Sequence, residues 1–167
     1  MILCVLQILT VLVVAVAMAL SLAHALELPG KMRLTKEAYY AMQPIYYPGF
    51  TFGGFTEPVG TILTILLLFV TPVASAAFWL TITALAGLIG MQATYWIFTH
   101  PVNQFWLQNE KLNRMGSGFF SFAAKTPRST PVSWTELRDR WEYSHVARAL
   151  FAFVSLGALV IATACGR

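Results

Sequence analysis

Charge is scarce in this sequence. Of its 167 residues only 11% are Asp, Glu, Lys or Arg, where a soluble domain carries about 25%, and 57% are hydrophobic. A soluble globular protein is thereby excluded, and the chain reads as an integral membrane protein. The net charge of +4 comes from 11 basic against 7 acidic residues. The basic residues fall in loops between apolar runs, which speaks for membrane topology and against a nucleic-acid partner. Cysteine is nearly absent. Cys4 and Cys165 sit near the two chain ends, form no CxxC, and are too few for a cysteine zinc site. They are expected either as buried free thiols or as a bridge between the first and last helices. No GxGxxG, P-loop, GxSxG or HExxH occurs, and no internal repeat supports an inverted-repeat transporter.

What is present is a set of long apolar runs. Residues 2–26 are long enough to cross the ~30 Å hydrocarbon core at ~1.5 Å per residue. Ala23-His24-Ala25 imitates a signal-peptidase site, but no basic stretch precedes the run, so it reads as a retained first helix. Gln7, Thr10, Ala17, Ser21 and His24 make one stripe; Ala15, Ala19 and Ala23 make a second, of small residues suited to close helix contact. From Glu57 to Phe98 no charge follows Glu57; a single helix of that length would measure ~63 Å, so two helices are predicted, 57–72 and 76–99. Thr71-Pro72-Val73-Ala74-Ser75 is their turn, and Pro101 is expected to end or kink the second. The last helix is predicted over 134–164, opened by a capping box of Ser133 and Glu136. The fold class is therefore all-α: an integral membrane four-helix bundle in one domain, 1–167.

Between the first two spans, Thr35 caps a short helix that Pro44 stops, and Tyr39, Tyr40, Tyr46 and Tyr47 read as interfacial anchors. With Phe50, Phe52 and Phe55 this stretch is expected to dip into the headgroups or to fold over the bundle end, as an anchor or as a lid. The long loop from His100 to Val132 carries Gly116-Ser117-Gly118, with Phe119, Phe120 and Phe122 as further interfacial contacts. Nine of the 11 basic residues lie in these two loops and the start of the last helix. The positive-inside rule then makes both longer loops cytoplasmic and puts both termini on the other side.

Under that topology His24, His100 and His145 all fall at the cytoplasmic ends of helices, in one layer with Glu27, Glu57, Asn103, Trp141 and Arg148. Arg138, Trp141, His145 and Arg148 share one helix face, and an arginine at that depth requires a partner, Glu27 or Glu57. Three readings of the layer are open. His24, Glu27, His100 and His145 can serve as metal ligands, for iron, copper or zinc, or two of the histidines for a haem. The layer can equally be a polar substrate pocket without metal, or a structural ion-pair layer.

Four segments carry a family likeness: His24-Ala25-Leu26-Glu27-Leu28-Pro29-Gly30-Lys31, Tyr46-Tyr47-Pro48-Gly49-Phe50, Thr99-His100-Pro101-Val102-Asn103-Gln104-Phe105-Trp106, and Trp141 to Arg148. Together they resemble the anthrone-oxygenase-like family of small four-helix membrane proteins, above all its bacterial branch. The resemblance implies a bacterial inner membrane and an oxidoreductase. In the fungal branch the reaction oxidises polyketide anthrones to anthraquinones with molecular oxygen as co-substrate. A planar hydrophobic molecule entering from the bilayer would then meet His24, His100 or His145 as general base, with Arg148 or Asn103 stabilising a phenolate or enolate. The competing expectation is an accessory subunit that contacts lipid, pigment or other membrane subunits through its aromatic surface.

Overall fold

The computed structural model describes residues 2–106 and 133–165. Every element among them is helical. The first, α1 (Ile2–Lys31), runs beyond the end that hydropathy predicts at Leu26, with Pro29 inside its last turn. Thr35 caps α2 (Lys36–Met42), its Oγ1 accepting from the Ala38 amide at 3.3 Å. A 3₁₀ turn (Gln43–Tyr46) and the short α3 (Gly49–Gly53) follow. Then come α4 (Thr56–Val70), α5 (Ala76–Thr94), a π turn (Tyr95–Thr99), α6 (His100–Trp106) and α7 (Trp134–Cys165). The Gly116-Ser117-Gly118 segment, Phe119, Phe120, Phe122 and the loop bases Lys111, Arg114, Lys125 and Arg128 lie outside the described residues.

Four helical stretches are long and apolar enough to cross a membrane: Ile2–Lys31, Gly49–Val70, Ala76–Asn103 and Trp134–Cys165. α4 has only 15 residues, but continued back through α3 the second stretch reaches 22. α1 packs on α4 and α7, and α5 on the same two helices, which closes the four into a ring. Large apolar side chains such as Val5, Leu12, Ile62, Phe69, Leu150 and Phe153 point outward, while Ala17, Ala84, Ala152, Ala158 and the hydroxyls of Thr10, Thr64, Thr81 and Ser155 are inside. This inversion suits an acyl-chain surround, where association rests on close packing of small residues. Each of these four hydroxyls bonds the carbonyl four residues back in its own helix, at 2.7–2.8 Å, and is satisfied there. These features suggest an integral membrane protein.

Close contact comes from other positions than Ala15, Ala19 and Ala23. Ala19 is exposed and the other two are half-buried. Instead Gly60 lets α4 approach Val14 of α1, and Gly87 lets α5 lie against Phe151 and Ser155 of α7. Cys4 and Cys165 are free and exposed, neither bridged nor buried. The Thr71–Ser75 turn is found as expected, with Ser75 Oγ capping α5 at the Phe78 amide, 3.2 Å away. At α7 the capping box is reciprocal: Glu136 Oε2 accepts from the Ser133 amide and Ser133 Oγ from the Glu136 amide, each at 3.2 Å.

Pro101 neither ends nor breaks the helix it belongs to. The backbone widens one turn ahead of it, the His100 amide reaching back five residues to the Tyr95 carbonyl. Proline cannot donate to the carbonyl four residues back, that of Ile97. Arg140 of α7 donates to it instead, at 2.6 Å, and the helix continues to Trp106.

Candidate functional site

The C-terminal end of α1, the start of α4, the π turn with α6, and the first half of α7 meet at one end of the ring. Residues 36–55 fold across that end. Between them lies a cavity of about 280 Å³. Leu20, Ser21 and His24 of α1 form one wall; Glu57 and Pro58 of α4 another. Gln92, Tyr95, Trp96, Thr99, Asn103 and Trp106 form a third, and Trp141, His145 and Arg148 of α7 a fourth. Gln43, Tyr46, Tyr47, Phe50, Thr51, Gly54 and Phe55 close it. The tyrosines expected as membrane anchors thus include Tyr46 and Tyr47 as cavity walls, and Tyr39 as a fully buried residue beneath them. The segment folds over the bundle end rather than standing clear of it.

Arg148 and Glu57, on facing walls of the cavity, make a direct, buried ion pair. Glu27 is bound elsewhere, to Lys31 at 2.8 Å and to the Tyr46 hydroxyl at 2.6 Å. A second Arg148 nitrogen lies 3.1 Å from His145 Nδ1. Guanidinium only donates, so that ring nitrogen accepts and the His145 proton is on Nε2. The same logic holds for His24, whose Nδ1 is 3.4 Å from Lys31 Nζ. The two imidazoles stack, centroids 4.1 Å apart, and His24 is further enclosed by Tyr46, Phe50 and Trp141. Trp141 Nε1 donates to Asn103 Oδ1 at 2.7 Å, which ties α7 to α6. Several buried polar atoms on the cavity's own walls have no hydrogen-bond partner among the described residues: Ser21 Oγ, Trp106 Nε1 and His145 Nε2. Such groups are costly unless something satisfies them.

His24, Asn103, His145 and Arg148 therefore line one cavity. His100 does not. It is buried, its ring 4.9 Å from that of Trp96 and 5.7 Å from that of Tyr95. The expected ligand set of His24, Glu27, His100 and His145 is not gathered, and among the described residues no group of three His, Cys, Asp or Glu side chains could hold a metal ion. A haem iron between two histidines needs their nitrogens aimed at one point from opposite sides. Stacked rings whose Nδ1 atoms face Lys31 and Arg148 do not offer that.

Sequence reasoning passed over Lys31, Glu142 and Tyr39. Lys31 is buried beside His24, and Glu142, fully buried, is 3.6 Å from Lys31 and accepts from the Tyr39 hydroxyl at 2.8 Å. The available signal was spacing: His24, Glu27 and Lys31 fall on one helical face, and Glu142 is one turn from His145. Burial, and then the Glu142 carboxylate, push the Tyr39 phenol well above the usual tyrosine range. Burial and the hydrogen bond to Glu27 do the same to Tyr46. No protein-family model, no curated protein and no solved structure matches this chain.

Proposed function

We propose that this is a small polytopic membrane protein, an anthrone-oxygenase-like oxidoreductase, whose cavity receives a hydrophobic aromatic molecule. The cavity carries the reading: about 280 Å³, mostly aromatic and apolar walls, and one polar patch of His24, His145, Arg148, Glu57 and Asn103. This is the composition expected of a small-molecule site, with few polar groups to orient the ligand. Two exposed cavity residues, Phe55 and Trp96, adjoin the outward apolar side chains Val59, Ile62 and Ile97, which supports access from the bilayer. The positive-inside rule, applied to the basic residues of the loops, favours a cytoplasmic position for the cavity end, and the family resemblance favours the bacterial inner membrane.

In the proposed reaction a ring CH₂ and one O₂ become C=O and water. The protein's part is to hold the molecule against the stacked imidazoles and to stabilise charge on its oxygen. Arg148 and the histidine Nε2–H groups are the donors for that oxygen. His145 takes a proton as general base only when Arg148 releases its Nδ1.

The test uses the full chain in lipid nanodiscs. Anthrone is titrated against tryptophan fluorescence, then oxygen uptake and anthraquinone formation are followed. Saturable binding and turnover that fall in His24→Ala and His145→Ala but not in His100→Ala are expected. Full activity in folded His24→Ala and His145→Ala proteins overturns the catalytic roles. Absence of binding, together with co-purification of a fixed set of membrane subunits, points to the accessory-subunit alternative.

A further inference from the structure

Beside the cavity lies a charged cluster whose members other than His24 take no part in the chemistry above. Its centre is Lys31, the last residue of α1, whose side chain is 3% exposed. Nζ lies 2.8 Å from Glu27 Oε2, 3.4 Å from His24 Nδ1 and 3.6 Å from Glu142 Oε2. An ammonium has three N–H groups and no acceptor; Glu27 Oε2 and His24 Nδ1 lie within hydrogen-bond distance of it, and Glu142 Oε2 just outside, as an ion-pair contact. The rings of Tyr46 and Trp141 close the remaining sides, at 4.7 and 4.9 Å. The arrangement follows from α1 itself, which puts His24, Glu27 and Lys31 on one face.

The two ends of this cluster differ in what they meet. The Glu27 side chain is 43% exposed, at the end of the bundle. His24 is buried and lines the cavity. Lys31 touches both. Glu142 balances the buried ammonium, and Tyr39 fixes Glu142. Beyond His145, Arg148 is matched by Glu57.

We propose that Glu27, Lys31 and His24 form a proton route between the aqueous end of the bundle and the cavity. The inference rests on the reading that the cavity binds a molecule whose oxygen changes protonation. In the inward direction His24 Nε2–H breaks as an O–H bond forms on the ligand. Lys31 gives a proton to His24 Nδ1, and the amine so formed takes one from the Glu27 carboxyl, which water at the surface has protonated. One proton moves from water to ligand, and no electrons move. The imidazole ends with its proton on Nδ1, and the reverse sequence carries a proton outward. Lysine suits this position because it can give up its proton, whereas a guanidinium stays charged.

The test needs no ligand. The full chain, labelled with ¹⁵N-histidine and held in lipid nanodiscs, has three histidines, whose ring signals are assigned with His100→Gln and His145→Gln. Exchange of the His24 ring N–H with water is then measured by NMR. Lys31→Arg keeps the charge and the bonds but not the transfer, so it and Lys31→Met are expected to slow exchange at least about tenfold. Glu27→Gln, at an exposed position, is expected to slow it as well, and remains decisive if the Lys31 variants do not fold. Exchange in folded Lys31→Arg or in Glu27→Gln as fast as in the unaltered protein overturns the route. Anthrone binding measured in parallel separates that outcome from a failure of the cavity reading.

Discussion

Arg148 of α7 and Glu57 of α4 form a buried ion pair between two helices whose main packing partners are α1 and α5. The pair fixes one wall of the cavity to another across its polar patch. Removing one member leaves the other charged and without its counter-ion in a dry environment, which costs about 3–5 kcal/mol, whereas replacing both is close to neutral. Glu57→Leu and Arg148→Met are therefore each expected to lower unfolding stability by that amount in detergent. The double variant Glu57→Leu/Arg148→Met should recover most of the loss, a coupling that a double-mutant cycle reads directly.

Tyr39 gives a pH dependence with a definite sign. Its phenol is held above the usual range by burial and by Glu142, so the folded state keeps a proton that the unfolded state releases near pH 10. The associated stability is whole below about pH 10 and is lost as pH rises beyond it. The thermal midpoint should fall above that pH, and fall less steeply in Tyr39→Phe. At neutral pH the same variant should lose about 1–3 kcal/mol, because the buried Glu142 carboxylate loses a donor. An unchanged alkaline slope in Tyr39→Phe would contradict the assignment; Tyr40 and Tyr46, shifted the same way by burial, contribute to the slope that remains.

Gly87 and Gly157 make a matched pair. A Cβ on Gly87 would stand 2.9 Å from the Phe151 carbonyl oxygen of α7, whereas one on Gly157 meets nothing within 4 Å. Gly87→Ala must push α5 from α7, at a cost of about 1–3 kcal/mol. Gly157→Ala should be neutral or stabilising by up to about 1 kcal/mol through helix propensity. Unfolding curves of the two variants decide it.

Arg140 and Pro101 are linked through the Ile97 carbonyl. Arg140→Met removes the donor that Pro101 cannot supply, and should cost about 1 kcal/mol. In a Pro101→Ala background the new amide can take that place, so the same arginine substitution should cost less.

Periodicity and capping made the helices legible. The Ser133–Glu136 box, the Thr35 cap and the Thr71–Ser75 turn depend on contacts within a few residues, and those are written locally. Helix faces also identified Arg148 and His145 as inward-facing, since a charge on an apolar helix has little choice. His100 could not be placed in the same way: its bearing depends on a π turn that no local pattern announces. Lys31 was hidden by its rank among the loop charges, for a lysine at a helix end ordinarily reaches water. Tyr39 and Tyr46 were hidden likewise, because anchoring at an interface and folding over a bundle end call for the same residues. Burying them takes Glu27 and Glu142, and Glu142 comes from a helix 103 residues away from Tyr39.

The π turn at Tyr95–Thr99 holds one residue more than an α turn in the same span. Shortening it by a single residue would return an α turn and leave the phase of everything downstream unchanged, so Asn103 would still meet Trp141. Forcing it into an α turn at constant length would instead rotate α6 by about 100° against α7. The segment is thus one residue of slack in an otherwise rigid strut. Cavity shape near Tyr95, Trp96 and Thr99 can change with chain length there, while the register of the bundle stays where it is.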